Sequence, residues 1–236
     1  MSRRSRPIGV AVGALAAALL AVPGVAPATT VNLRVEGASE TLFEGPVRAM
    51  PASLTSNTGE HPGLFPCNVA ENGGSGGRAA NPISALASRG LALGLNWFPE
   101  YTGFIVESVS AEDPADPYYW DFFVDGKGAA ELGYPGGCQL ALRKGSSIVW
   151  TVTSGSEPLL KLRVSGSARS ARVTATVTNA TTGAPVKGAR VGSPGGPLTT
   201  ATGRARIERP AAGSRTLKAT RAGAIRSNAV VVRARR

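Results

Sequence analysis

Across residues 31–36 the chain alternates apolar with polar side chains, setting Val31, Leu33 and Val35 against Asn32, Arg34 and Glu36. A period of two predicts a strand with one buried face. A second extended stretch, TLFEGPVRAM, follows and turns at Gly45 and Pro46. Residues 51–80 lose the alternation and fill with Gly, Ser, Asn and Pro around NGGSGG, which reads as a surface loop. At Asn81 the period changes. Ile83, Leu86 and Ala87 share a face at helical spacing, behind an N-cap asparagine and a first-turn proline, so one short helix is predicted to end near Gly90. Strand pattern returns in GFIVESVSAE, breaks at EDPADP and resumes from Tyr119 to Val124. Asp125-Gly126 then supplies a turn, and CQLAL and SSIVWTV read as two strands joined at Lys144-Gly145.

From about residue 168 every segment has strand pattern: ARVTATVTN, RARIERP with Ala205 and Ile207 inward, SRTLKATR and NAVVVRARR. Short, regularly spaced turns between them fit a β-sandwich. Arg204, Arg206, Lys218 and Arg233 fall at outward positions. In residues 118–124 aromatics occupy both faces, with Tyr118, Trp120 and Phe122 pointing one way and Tyr119 and Phe123 the other, beside Asp121 and Asp125. Two readings stay open: a strand sandwiched in a core, or an aromatic wall lining a ligand groove.

Charge and composition divide the chain. Residues 29–157 carry 7 Lys and Arg against 14 Asp and Glu, whereas residues 158–236 carry 16 against 1. We therefore expect two domains: 29–157, and 170–236 after a linker at 158–169. Ahead of both, Arg3, Arg4 and Arg6 precede an apolar run over residues 8–22 and an Ala-Pro-Ala site at 26–28. That order predicts a secretory signal over residues 1–28, cleaved before Thr29. The apolar run is too short and too interrupted to span a bilayer, and no later segment could. In an exported chain the two cysteines, Cys67 and Cys138, make one expected disulfide.

Residues 31–152 resemble the carboxy-terminal β-domain of transcobalamin and intrinsic factor, in its secreted bacterial relatives. The resemblance rests on VNLRVEG with TLFEGPV, the helix PISALAS, and a W-x-F-x-V-N-G hairpin formed by Trp120, Phe122, Val124, Asp125 and Gly126. Gly137-Cys138 and the strand from Ile148 to Trp150 complete it. Asp125 stands where the family has Asn, and the helical domain that supplies the second wall in the vitamin carriers has no counterpart in this sequence. The resemblance implies a β-rich module with cobalamin or another tetrapyrrole as candidate ligand. Residues 171–235 resemble prealbumin-like or carboxypeptidase-regulatory surface repeats, through TTGAPVKGARV, TATGRARIERPAAGSRTLKAT and AIRSNAVVV. This second resemblance implies display at a cell surface. The expected fold class is mainly β: an α+β module (a β-sheet with one short helix) followed by an all-β, Ig-like or prealbumin-like sandwich.

Candidate chemistry is sparse. The single histidine, His61, sits in a Pro/Gly-rich loop, where a Ser-His-Asp or Cys-His site has no visible partners. Acids at Glu107, Glu112, Asp113, Asp116 and Asp121 show no spacing that predicts a facing pair for glycoside hydrolysis, and no Ca²⁺-loop signature is present. The basic half would attract polyanions, but it lacks Trp, Tyr and Phe to stack on bases. Anionic cell-envelope polymers are therefore the expected partners rather than nucleic acid, contacted through Arg204, Arg206 and Lys218. The expected protein is a secreted, non-enzymatic binding module, possessing no metal site, for a small hydrophobic or tetrapyrrole ligand at Trp97, Phe98, Tyr119, Trp120, Phe123 and Asp125. The rival is a structural or adhesion protein of the envelope without a small ligand; a secreted hydrolase is third.

Overall fold

The computed structural model describes residues 28–133 and 136–234, so all but the last residue of the expected secretory signal lies outside them. The first half runs β1 (Thr29–Glu36), β2 (Thr41–Ala49), β3 (Ala52–Ser56), β4 (Gly63–Cys67), α1 (Pro82–Ala87), β5 (Leu93–Phe98), β6 (Gly103–Val109), β7 (Tyr119–Val124) and β8 (Ser147–Thr153). The second continues with β9 (Leu160–Ser165), β10 (Arg172–Asn179), β11 (Arg190–Val191), β12 (Arg204–Glu208), β13 (Ser214–Leu217), β14 (Ala219–Thr220) and β15 (Val230–Arg233). The protein is mainly β with one short α-helix among the described residues, and none of its helices is long and apolar enough to cross a membrane.

Four strands form the central sheet of the first half in the order β2-β1-β8-β7; β1 and β8 run parallel and the other pairs antiparallel. Val31, Leu33 and Val35 of β1 bury against α1, β8 and the small sheets, as their alternation requires. The helix begins where the sequence places it. Asn81 accepts the Ser84 N–H at 2.8 Å while the Ser84 hydroxyl accepts the Asn81 N–H at 2.9 Å, and Pro82 fills the first turn. Trp150 Nε1 donates to the Pro82 carbonyl at 3.0 Å and so fastens helix to sheet.

The stretch 51–80 is more ordered than its composition suggests. β3 and β4 pair as a hairpin, because Leu54 and Phe65 can pack on the core and Phe65 stacks on Trp97 with centroids 4.6 Å apart. The Gly-rich segment after it is pinned by buried Asn72, whose Nδ2 donates to the carbonyls of Pro66 and Thr102. At Gly74 a Cβ would lie 2.0 Å from the Gln139 carbonyl oxygen, so glycine there permits a close backbone approach. CQLAL, by contrast, forms no strand. β8 already has β1 and β7 on its two edges, leaving it no slot, and Cys138 is bonded to Cys67.

In the second half, the sheet β12-β10-β9 packs over one core with the ribbons β11-β14 and β13-β15. Residues 158–169, expected as linker, contain β9, whose Leu160 and Leu162 alternate into this core. Between β8 and β9 the chain turns on Glu157. Partial burial pushes this carboxyl's pKa up, but bonds from the Thr153 and Ser154 hydroxyls and the Ser154 N–H outweigh that and hold it at about 2.

The two halves touch through an apolar cluster of Val149, Leu159 and Ile225, with Phe123 and Ala180 against it. The Asp125-Gly126 turn fits the same junction. Both residues have positive φ, 53° and 84°, the conformation of a two-residue hairpin turn. A Cβ on Gly126 would meet the Ala180 carbonyl oxygen at 2.8 Å, and Thr181 Oγ1 donates to the Gly126 carbonyl at 2.7 Å.

Candidate functional site: a cleft at the open edge of the central sheet

Among the described residues β8 is the one strand that pairs with β7, so the other edge of β7 is open ahead of Val124. The Asp125 N–H donates to the Ser147 carbonyl across the pair, whereas Val124 exchanges both of its backbone bonds with Lys127 on the far side. Since antiparallel pairs alternate, the backbone groups of Trp120 and Phe122 also face away from β8. Opposite that edge stand β6 and the turn 99–102, enclosing a cleft of about 720 Å³, within the size range of small-molecule sites.

Aromatic and apolar side chains make its exposed rim: Tyr101 is 67% exposed, Ile105 48% and Tyr119 47%. Phe98 and Tyr101 lie with ring centroids 6.3 Å apart. Beneath them are the edges of Trp120, Phe122 and Trp150, fixed because Trp120 Nε1 donates to the Glu112 carbonyl at 3.0 Å and Phe122 packs on Trp150 at 5.2 Å. Two acids line the cleft, exposed Glu100 at the rim and Asp121 within it. Asp121 accepts the outward Phe122 N–H at 2.7 Å; burial raises its pKa above the usual aspartate value, and that hydrogen bond opposes the rise. Gln139, whose Nε2 donates to the Tyr101 carbonyl at 3.1 Å, stands on the opposite wall. The arrangement can hold an apolar or ring-shaped molecule by aromatic contact and address its polar groups through Asp121 and the sheet edge.

The six expected ligand residues divide. Phe98 and Tyr119 line the cleft. Trp120 reaches it but is 5% exposed and belongs mainly to the core, as does Trp97, which stacks on Phe65 and meets Phe104 edge-on. Phe123 points to the junction between the halves, and Asp125 turns the hairpin there, accepting the Ser147 N–H at 2.8 Å. Tyr101, Ile105 and Gln139 were not singled out from the sequence; only Ile105, an apolar residue at an outward position of β6, left a readable signal.

Of the three cations expected at the envelope, Arg204 and Arg206 are exposed on β12, but Lys218 is not outward-facing. Its Nζ bonds Glu36 and Glu44 of the first half, both at 2.8 Å. Among the described residues no group of three or more His, Cys, Asp or Glu is placed to hold a metal ion. No protein family, curated protein or solved structure matches the chain, so the cleft's own geometry carries the functional reading.

Proposed function

We propose that the protein is an extracellular, non-catalytic binding module whose ligand, a small apolar or ring-bearing molecule, sits in the cleft at the open edge of β7. The supporting observation is the concavity itself: exposed Tyr101, Ile105 and Tyr119 surround the Asp121 carboxyl and the outward edge of β7. Tetrapyrroles, cobalamin among them, are the first class to try, because the resemblance of residues 31–152 points there. The test is tryptophan fluorescence, since Trp120 and Trp150 both border the cleft. Titration with cobalamin, other tetrapyrroles and envelope glycans is expected to give saturable quenching with one of them. Tyr101→Ala and Tyr119→Ala should each weaken binding by about tenfold or more, in line with the loss of an aromatic contact. A flat response to every compound would overturn the reading in favour of a structural module.

A second reading, retention at an anionic envelope, is favoured by one further feature. The outward face of the β12-β10-β9 sheet carries Arg163, Arg172, Arg204 and Arg206 across a floor of threonines, with Glu208 as the acid among them. Exposed charges this close create an attractive field for polyanions that salt screens. Cosedimentation with phosphatidylglycerol vesicles is expected at about 0.05 M salt and to vanish at about 0.5 M. Arg204→Gln with Arg206→Gln should weaken it. Binding that ignores salt, or is untouched by the double change, would rule this face out.

A further inference from the structure

The face of β1 turned away from the first core presents Asn32, Arg34 and Glu36 to the second half. Lys218 and Arg226 reach across to it: Lys218 Nζ bonds Glu36 Oε1 and Glu44 Oε2, and Arg226 Nε donates to Glu36 Oε2 at 2.8 Å. The Thr41 hydroxyl also donates to Glu36 Oε2, and the Ala229 N–H donates to Glu44 Oε1. Every oxygen of both carboxylates is therefore occupied.

Arg34 is left over. Its side chain is 7% exposed, its Nη1 is buried without a partner, and its one charged contact, Nε to Glu36 Oε1 at 3.6 Å, is beyond hydrogen-bond range. Three cations (Arg34, Lys218, Arg226) face two carboxylates, so the cluster carries one positive charge in excess. Buried polar groups in folded proteins are almost always paired, and a guanidinium offers five donors that it cannot relinquish by losing a proton. Burial lowers the pKa of Arg34, against the opposing pull of Glu36 and Glu44.

Arg34 lines a cavity of about 500 Å³ between the two halves. Asn32 and Ser147 add polar walls beside it, and Val149, Leu159 and Leu160 add apolar ones. Asp125 and Lys161, also in the lining, offset each other in charge, so the excess from Arg34 stands. This cavity shares no lining residue with the cleft at β7.

We propose that the cavity binds a small organic oxyanion, a carboxylate or phosphate ester on a short apolar body, with Arg34 as its anchor. The forked guanidinium donors match the paired oxygens of such a group, and the apolar walls suit the body attached to it. A ligand held there touches both halves, so it stabilises their contact as well as its own site.

Calorimetric titration of the full chain at fixed ionic strength tests this with inorganic phosphate, phenyl phosphate, acetate and hexanoate, using chloride as the control. Saturable one-site binding is expected for at least one oxyanion, tighter for the member of each pair that carries the apolar body. Whether the phosphates or the carboxylates bind tells the two chemistries apart. At ~100 times Kd the bound form should melt roughly 5–10 °C higher. Arg34→Met should abolish binding. Arg34→Lys, which keeps the charge but loses the fork, should weaken it by about tenfold or more, and it decides the matter if the methionine variant does not fold. Binding by none of the probes, or equal binding by wild type and Arg34→Lys, overturns the proposal.

Discussion

Glu36→Gln is expected to destabilise the protein by about 3–5 kcal/mol, the usual cost of removing one partner from a buried ionic group. Glu36 is 1% exposed and takes Lys218 on one oxygen, Arg226 and the Thr41 hydroxyl on the other. Glutamine preserves the volume, so the loss isolates charge from packing. Afterwards three cations would share Glu44 alone. Arg226 sharpens the effect, because its Nη1 and Nη2 also donate to the carbonyls of Ala38, Gly37 and Glu40, holding it where it cannot swing out to solvent. Urea unfolding of Glu36→Gln beside Glu208→Gln makes the comparison. Glu208 pairs with Arg172 at 3.2 Å, but both side chains are more than half exposed, so that change should cost at most about 1 kcal/mol. Equal losses in the two variants would mean that the cluster contributes no more than a surface pair.

The same cluster marks the limit of what alternation reveals. Period two in VNLRVEG correctly separates Val31, Leu33 and Val35 from Asn32, Arg34 and Glu36, and in RARIERP it separates Ala205 and Ile207 from the arginines. It reports which side faces the strand's own core, yet it cannot say whether the other side meets water or a second domain. For Arg204 and Arg206 it is water; for Glu36, Arg34 and Lys218 it is the opposite half. The start of the helix was legible because the Asn81 cap and Pro82 are local chemistry, whereas the reciprocal bond from Ser84 was not read and the helix ends at Ala87 rather than near Gly90. β5 was not read, although Leu91, Leu93, Leu95 and Trp97 alternate, because Gly94 and Asn96 weaken its strand propensity. The cleft was half legible. The aromatic strand drew notice to Tyr119, and Phe98 was singled out as a neighbouring aromatic, but the concavity depends on β7 being an edge strand, a property of sheet order set by the parallel pairing of β1 with β8.

Loss of the disulfide should be comparably severe. Cys67 and Cys138 are both fully buried and bonded across 71 residues, and closing a loop of that length restricts the unfolded chain by an amount equivalent to about 4 kcal/mol in the chain-entropy model. The bond ties the end of β4 to the segment behind α1. The Asn81 side chain donates to the Cys67 carbonyl at 3.0 Å while capping the helix, and the Ile83 N–H donates to the Gly137 carbonyl at 3.2 Å. Cys67→Ala with Cys138→Ala, which avoids burying two hydroxyls, is therefore expected to lower stability by about 4 kcal/mol in urea unfolding. The consequence should reach the cleft, because Gly136, Gly137 and Gln139 form its wall next to Cys138. Trp150, bonded through Nε1 to the Pro82 carbonyl, is the natural reporter, and its emission should shift to the red as α1 loosens. A double variant that kept its midpoint within about 1 kcal/mol of wild type would show that the surrounding hydrogen bonds hold this junction without the covalent link.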